Sequence, residues 1–388
     1  MESRLETIGR AEMLRRRAAS HALGRPPADL GGPAGAVDRL FALQGQDLPG
    51  ALWSLGLRSG ASLPDVMAAF DDGTLVRSWP FRGTLHMLRA ADVHWILKLT
   101  AERTLRSAAR RREELELDDG TLEQARKLTE RALAGGNRLG RGDLLLLFES
   151  AGISTAGQRG YHLLWHLSIS GTTVLGPMEG KEQLFVLLDD WVTRRRDLSG
   201  PDALGELVRR YLTGRSPATA ADIAWWSKLP LTSIRSGIAE VSGELEEVEY
   251  CGTVHWQLHT GTPAAAGRER SRRETALLLP GFDEYLLGYQ DRSAALEPEH
   301  APLTVPGNNG VFKPTLVLRG RVAGLWSRKA TRAGTALTVQ PFSPVSDHDW
   351  NAVGRAAARY GQYLGTPVTV QHHLATARPG HPGAAPAP

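Results

Sequence analysis

Apolar positions along the chain follow two periods, and the places where one gives way to the other outline an architecture. Between 142 and 188, "GDLLLLFESAG" carries the clustered leucines of a helix and "IST" offers a turn. "AGQRGYHLLWHLS" then sets Leu163, Leu164 and Leu167 on one helical face. "GTTVLGPMEG" and "KEQLFVLL" follow as two short β-rich runs around a Gly/Pro/Lys turn. Helix, turn, helix and hairpin is the plan of a winged helix.

The same order can be placed twice more. The first copy runs from "AVDRLFALQ" through "PGALWSLGLRSG" and "SLPDVMAAFDDG" into a hairpin of "TLVRSWP" and "FRGTLHML". The third runs from "ATAADIAWWSKLP" and "LTSIRSGIAEVS" into "ELEEVEYCG" and "TVHWQL". After about 275 the texture changes to short β-like runs, "GVFKPTLVLRG", "RVAGLWSRK" and "GTALTVQPF", which predict an antiparallel sheet or small barrel. The spacing of "DHDWNAVGRAAARYGQYLG" predicts a helix behind it. The expected chain is therefore α+β, with three tandem winged-helix domains followed by a C-terminal β-barrel. The boundaries read as 5–115 (with a linker helix), 116–200, 201–262 and 270–374 (barrel with helix), with a disordered Pro/Ala/Gly tail over 375–388.

Composition narrows the class. At 388 residues and 41% hydrophobic content the chain can fill more than one core. Lys and Arg number 46 against 42 Asp and Glu, a balance that allows a basic groove beside acidic faces without requiring one. Cys251 is the single cysteine, which rules out an intramolecular disulfide and a thiolate-rich metal site. Neither a secretory leader nor a run of about 20 apolar residues is present, so a cytoplasmic location is expected.

The stretch "LQGQDLP" holds the most pointed chemistry. A glutamine offers one acceptor and two donors, so Gln44 and Gln46 could hold a water and a nucleic-acid backbone, or could merely close a turn. In a strand the two would share a face, and in a helix they would diverge. Asp47 could take a proton from such a water, or cap the helix that begins near Pro49. In the first hairpin, Arg77 and Arg82 flank "SWPF", where a Trp-Pro turn would present basic side chains to phosphates, and His86 follows in alternation; the alternative is a hairpin packed on its own helices, with Trp79 in the core and His86 on its surface. Lys181 in the second hairpin turn, and Arg110 and Arg111 in the linker, are further candidate DNA contacts; the linker arginines fit a solvated helical face equally. "LPGFDEYLLGYQDRS" crowds Asp283, Glu284, Tyr285, Tyr289, Asp291 and Arg292, as a metal site or as a polar loop anchoring the sheet domain. "GNNG" lacks a dinucleotide fingerprint, and the paired histidines of "QHHLA" lack a surrounding ligand set.

Taken together, "LQGQ", "SWPFRGTLHML", "KEQLFVLLDDWV", "ATAADIAWWSKLPL", "LLPGFDEYLLGYQDR" and "GVFKPTLVLRGRVAGLW" resemble the bacterial winged-helix DNA glycosylases of the AlkZ and YcaQ type over about residues 5–370. The resemblance implies excision of N7-alkylated purines from double-stranded DNA, in some members with unhooking of interstrand crosslinks, by a monomer needing no metal or cofactor. It places the catalytic pair at Gln44 and Gln46, the two-glutamine branch of the family; the neighbouring Asp47 is read as an assistant. Gly45 departs from the apolar residue usual between the two glutamines. The alternatives are a winged-helix transcription regulator that reads a promoter, and a lesion-binding protein without catalysis.

Overall fold

The computed structural model describes residues 5–24, 29–259, 276–308 and 310–372. The expected tail at 375–388 and His373 lie outside the described residues. The fold is mixed α+β. Its strands are β1 (Glu6–Thr7), β2 (Ala42–Gln44), β3 (Leu75–Phe81), β4 (Thr84–Arg89), β5 (Thr173–Glu179), β6 (Glu182–Leu187), β7 (Leu245–Tyr250) and β8 (Thr253–Leu258). Five more follow: β9 (Ala276–Leu279), β10 (Thr315–Leu318), β11 (Arg321–Thr331), β12 (Gly334–Pro341) and β13 (Val368–His372).

A helix pair precedes each of the three expected hairpins: Leu48–Ser59 with Leu63–Asp71, Arg141–Ser150 with Arg159–Ile169, and Ala220–Ser227 with Leu231–Glu240. Local chemistry explains several starts. Ser62 and Asp65 close a capping box, as do Thr219 and Asp222, each pair satisfying backbone donors that a helix start leaves free.

The first two hairpins join in one sheet of order β2-β4-β3-β5-β6, and the seam is the pairing of Arg77 with Leu175. All seven residues of β3 are buried because both sheet faces are covered. Val76, Phe81, Leu88, Val174 and Val186 enter one core, while Trp79, Leu85, Leu175 and Phe185 enter another. The first hairpin turns at Arg82 and Gly83, both with positive φ, rather than at the expected Trp-Pro step. The Trp79-Pro80 step instead lies in a register irregularity within β3, where proline's missing N–H is tolerated.

The expected C-terminal barrel is corrected to an open sheet of order β13-β12-β11-β10-β9. Its outer strands do not pair, and β13 returns parallel to β12. A helix covers the apolar face in place of a barrel wall: Ala352, Val353, Ala357 and Tyr360 of Asp347–Leu364 share a core with Leu316, Leu337 and Val339. That core also holds Trp53, Leu55 and Leu57 from the helix Leu48–Ser59, so the C-terminal sheet packs on the first unit rather than standing apart. The approach is close, since a Cβ on Gly56 would lie 2.3 Å from Tyr363 Cδ2.

Candidate active site

Strand β2 ends at Gln44 and the helix Leu48–Ser59 starts at Asp47, which leaves Gly45 and Gln46 as the link between a sheet edge and a helix N-terminus. Pro49 in the first turn favours that start. Asp47 occupies the N-cap position, yet its side chain makes no capping bond and stays exposed. An open cleft of about 640 Å³ lies along the seam of the two hairpins. Gln46, Asp47, Arg77, Trp79, Arg141, Lys181 and Gln183 line it. Gln46 is exposed there, and its Oε1 accepts a 3.4 Å bond from the Leu85 amide.

Gln44 is placed differently. It pairs with His86 across β2 and β4, which puts both side chains on the same sheet face. Its side chain is buried, it is not among the residues lining the cleft, and its Oε1 has no partner among the described residues. The strand geometry that would have set both glutamines on one face ends at Gln44. The backbone here is held from outside the sheet, since the amide of Gln44 donates 2.9 Å to Glu284 Oε1. Glu284 is fully buried and also accepts from Arg215 Nη2 and Trp226 Nε1, both at 2.8 Å. Burial raises its pKa, but Arg215, Arg82 and His86 outweigh that and hold it at about 2. Its neighbour Asp283 binds Arg58 through both oxygens, at 2.9 and 2.8 Å, and accepts from Ser54. The acidic stretch thus works as the anchoring loop, with Asp283 and Glu284 engaged by arginines and Asp291 accepting from the Ser293 amide.

The basic candidates divide. Lys181 is exposed at the turn between β5 and β6, lines the cleft, and makes no ion pair among the described residues. Arg77 also lines the cleft but is buried, and its guanidinium donates 3.1 Å to the Gly45 carbonyl. Burial lowers its pKa to about 10. Arg82 is turned inward, over Trp226 and 4.0 Å from Glu284, and reaches a separate pocket of about 300 Å³ beside Arg103 and Lys228. His86 is corrected from a hairpin-surface residue to a core one. It is fully buried, its Nδ1 hydrogen-bonds the Thr84 carbonyl, and Nε2 is then free to accept from Arg82 at 3.0 Å. Desolvation and the adjacent Arg82 push its pKa down to about 3. Arg110 and Arg111 sit on an exposed helix and share their charge with Glu114, four and three residues on.

Reading the sequence missed Gln183, Tyr161 and Arg141 in the cleft wall. Gln183 is buried, donates to the carbonyls of Leu175 and Gly176, and keeps an unpartnered Oε1. A polar residue at an inward position of the apolar run "QLFVLL" was the available signal. Missed also was the exposed tip between β11 and β12, where Lys329 and Arg332 carry no ion pair among the described residues.

An α+β chain with an open cleft at the joint of two hairpins, lined by Arg77, Arg141 and Lys181 beside Asp47 and Glu182, has room and cationic groups for a nucleic-acid backbone. The family model described as "DNA glycosylase AlkZ-like" matches residues 37–363, and the chain belongs to that family. It is a DNA glycosylase. It is 29% identical over 353 residues to a protein of Streptomyces sahachiroi called "Interstrand DNA cross-link repair glycosylase", covering 85% of this chain and 90% of that one. The fold is similar to the solved structure of Streptomyces sahachiroi DNA glycosylase AlkZ, with a TM-score of 0.76 at 24% identity over 94% of this chain and 100% of that one. No helix among the described residues is long and apolar enough to cross a membrane.

Proposed function

We propose that this chain is a cytoplasmic, monomeric and monofunctional glycosylase that hydrolyses the N-glycosidic bond of N7-alkylated purines in double-stranded DNA. The observation that carries this reading is the exposed Gln46 amide in the cleft between Arg77, Arg141 and Lys181. Its three helix-pair and hairpin units act as winged-helix domains within the boundaries expected above.

The chemistry suits amides. N7 alkylation makes the purine cationic, so the C1′–N9 bond breaks with its electron pair passing to the base, which departs neutral and needs no strong acid. The sugar becomes oxocarbenium-like, and a water oxygen bonds to C1′ while its proton leaves to a carboxylate or to solvent. Gln46 orients that water, and Asp47, exposed on the same cleft, is the neighbouring carboxylate. Gln44 supports the pair from the buried side. Lys181, Arg77 and the linker arginines Arg110 and Arg111 supply phosphate contacts, with Arg82 reached from its own pocket.

Because the cleft is open, a bulky or crosslinked guanine tethered to both strands is admitted without being swung into an enclosed pocket. That supports crosslink unhooking, the activity that the Streptomyces sahachiroi relative's name gives for itself; self-protection against a DNA-alkylating natural product is the role we propose for this chain. Duplexes carrying N7-methylguanine, bulky N7 adducts or 8-oxoguanine test the reading. Expected products are the free N7-alkylpurine and an abasic strand that breaks only on alkali treatment, with 8-oxoguanine untouched. Strand cleavage by the enzyme itself, or no base release from any N7 adduct, would overturn it.

A further inference from the structure

Among the described residues, three that line the cleft keep an unpartnered buried polar atom, Trp79 Nε1, Gln183 Oε1 and Arg77 Nε, and of these Arg77 alone carries a charge. It lies in β3 at the position that pairs with Leu175 of β5, so it sits where the two hairpins meet. Its exposure is 9%, and it makes no ion pair among the described residues. Nη1 is used on the Gly45 carbonyl, whereas the buried Nε–H has no acceptor among the described residues. Desolvation alone lowers its pKa to about 10, so the group stays charged at neutral pH.

The stem of Arg77 fills the space of a missing side chain. A Cβ on Gly45 would lie 2.9 Å from Arg77 Cδ and 3.4 Å from Arg77 Cγ. Gly45 is not among the positive-φ residues, so the backbone itself does not require glycine. The space does.

We propose that Gly45 and Arg77 form one unit, an anion subsite in the catalytic cleft that takes a phosphodiester oxygen of the lesion-bearing strand. A cation beside a cationic purine and an oxocarbenium-like sugar opposes the chemistry unless an anion meets it, and phosphate is the anion that duplex DNA brings. The guanidinium retains an unused Nε–H, and its fork suits two-point binding of phosphate oxygens. Gly45 sets how deep that fork sits, and a side chain at 45 would drive it out of register. This rests on the glycosylase reading of the same cleft and names what holds the strand there.

The test measures affinity of the full chain for an N7-methylguanine duplex across a salt series. Arg77→Met is expected to make the plot of log affinity against log salt shallower by about 0.9, the loss of one phosphate contact. Gly45→Val, which leaves the arginine present but displaced, is expected to shift the slope the same way. Each weakens low-salt binding roughly 3- to 10-fold, and the double variant binds no more weakly than Arg77→Met because the two losses are one event. Arg77→Lys keeps most of the slope and loses affinity. A wild-type slope in Arg77→Met, or losses that multiply in the double variant, overturns the subsite; should Arg77→Met fail to fold, the slope of Gly45→Val decides alone. Base release by the wild-type protein separates the two ideas. Release with unaltered slopes sinks the subsite and leaves the glycosylase, and altered slopes without release do the reverse.

Discussion

Arg215 and Arg77 are both buried guanidiniums, and they end in opposite ways. Arg215 donates to the carbonyls of Leu40 and Ala42 and to Glu284, and lies over Trp226 with its carbon 4.3 Å from the ring centre. Arg77 has a single carbonyl, no carboxylate, and an open cleft in front of it. The protein completes the first charge and leaves the second unfinished. The first therefore belongs to the fold, tying the acidic loop at 283–284 to the strand that carries Gln44, and the second belongs to whatever enters the cleft.

That contrast can be broken at either end. Arg215→Met strands Glu284 as a buried carboxylate, and urea unfolding should show a loss of about 3–5 kcal/mol. Acid should act on the same cluster next. His86 titrates near 3 when folded and near 6.5 when unfolded, and Glu284 near 2 against 4.5, so in both cases the unfolded chain takes the proton first. Stability should fall steadily as pH drops from 6.5 towards 3, by up to ~1.4 kcal/mol per pH step of one for each proton that only the unfolded chain binds. A flat unfolding midpoint between pH 6.5 and 4.5 would place His86 in water. Arg77→Met, by contrast, removes an unpaired buried charge, so in the absence of DNA its thermal midpoint should equal or exceed wild type, within ~1 kcal/mol. Arg110→Ala is the smallest case, an exposed intrahelical pair worth ~0.5 kcal/mol or less.

The helix pairs and hairpins were legible because the change from a period near 3.6 to a period of 2 is long enough to see. Strands β1 and β2, at two and three residues, are too short to show any period. Barrel closure was misread because alternation within strands says nothing of whether the outer strands meet; here a helix covers the face instead. In the site, "LQGQ" was visible as chemistry, but the unequal exposure of Gln44 and Gln46 follows from where β2 stops. Burial of Arg77 and His86, and the inward turn of Arg82 over Trp226, were hidden, since charged residues read as surface until their partners are known. The hold of Glu284 on Gln44 spans 240 residues, a distance no local pattern crosses.

The amide chemistry stands or falls on single-turnover base release from N7-methylguanine duplex, measured for Gln44→Ala and Gln46→Ala proteins that bind DNA as wild type does. Release should fall by about 100-fold or more for Gln46→Ala, with a smaller loss for Gln44→Ala. Wild-type release rates in both variants would contradict it.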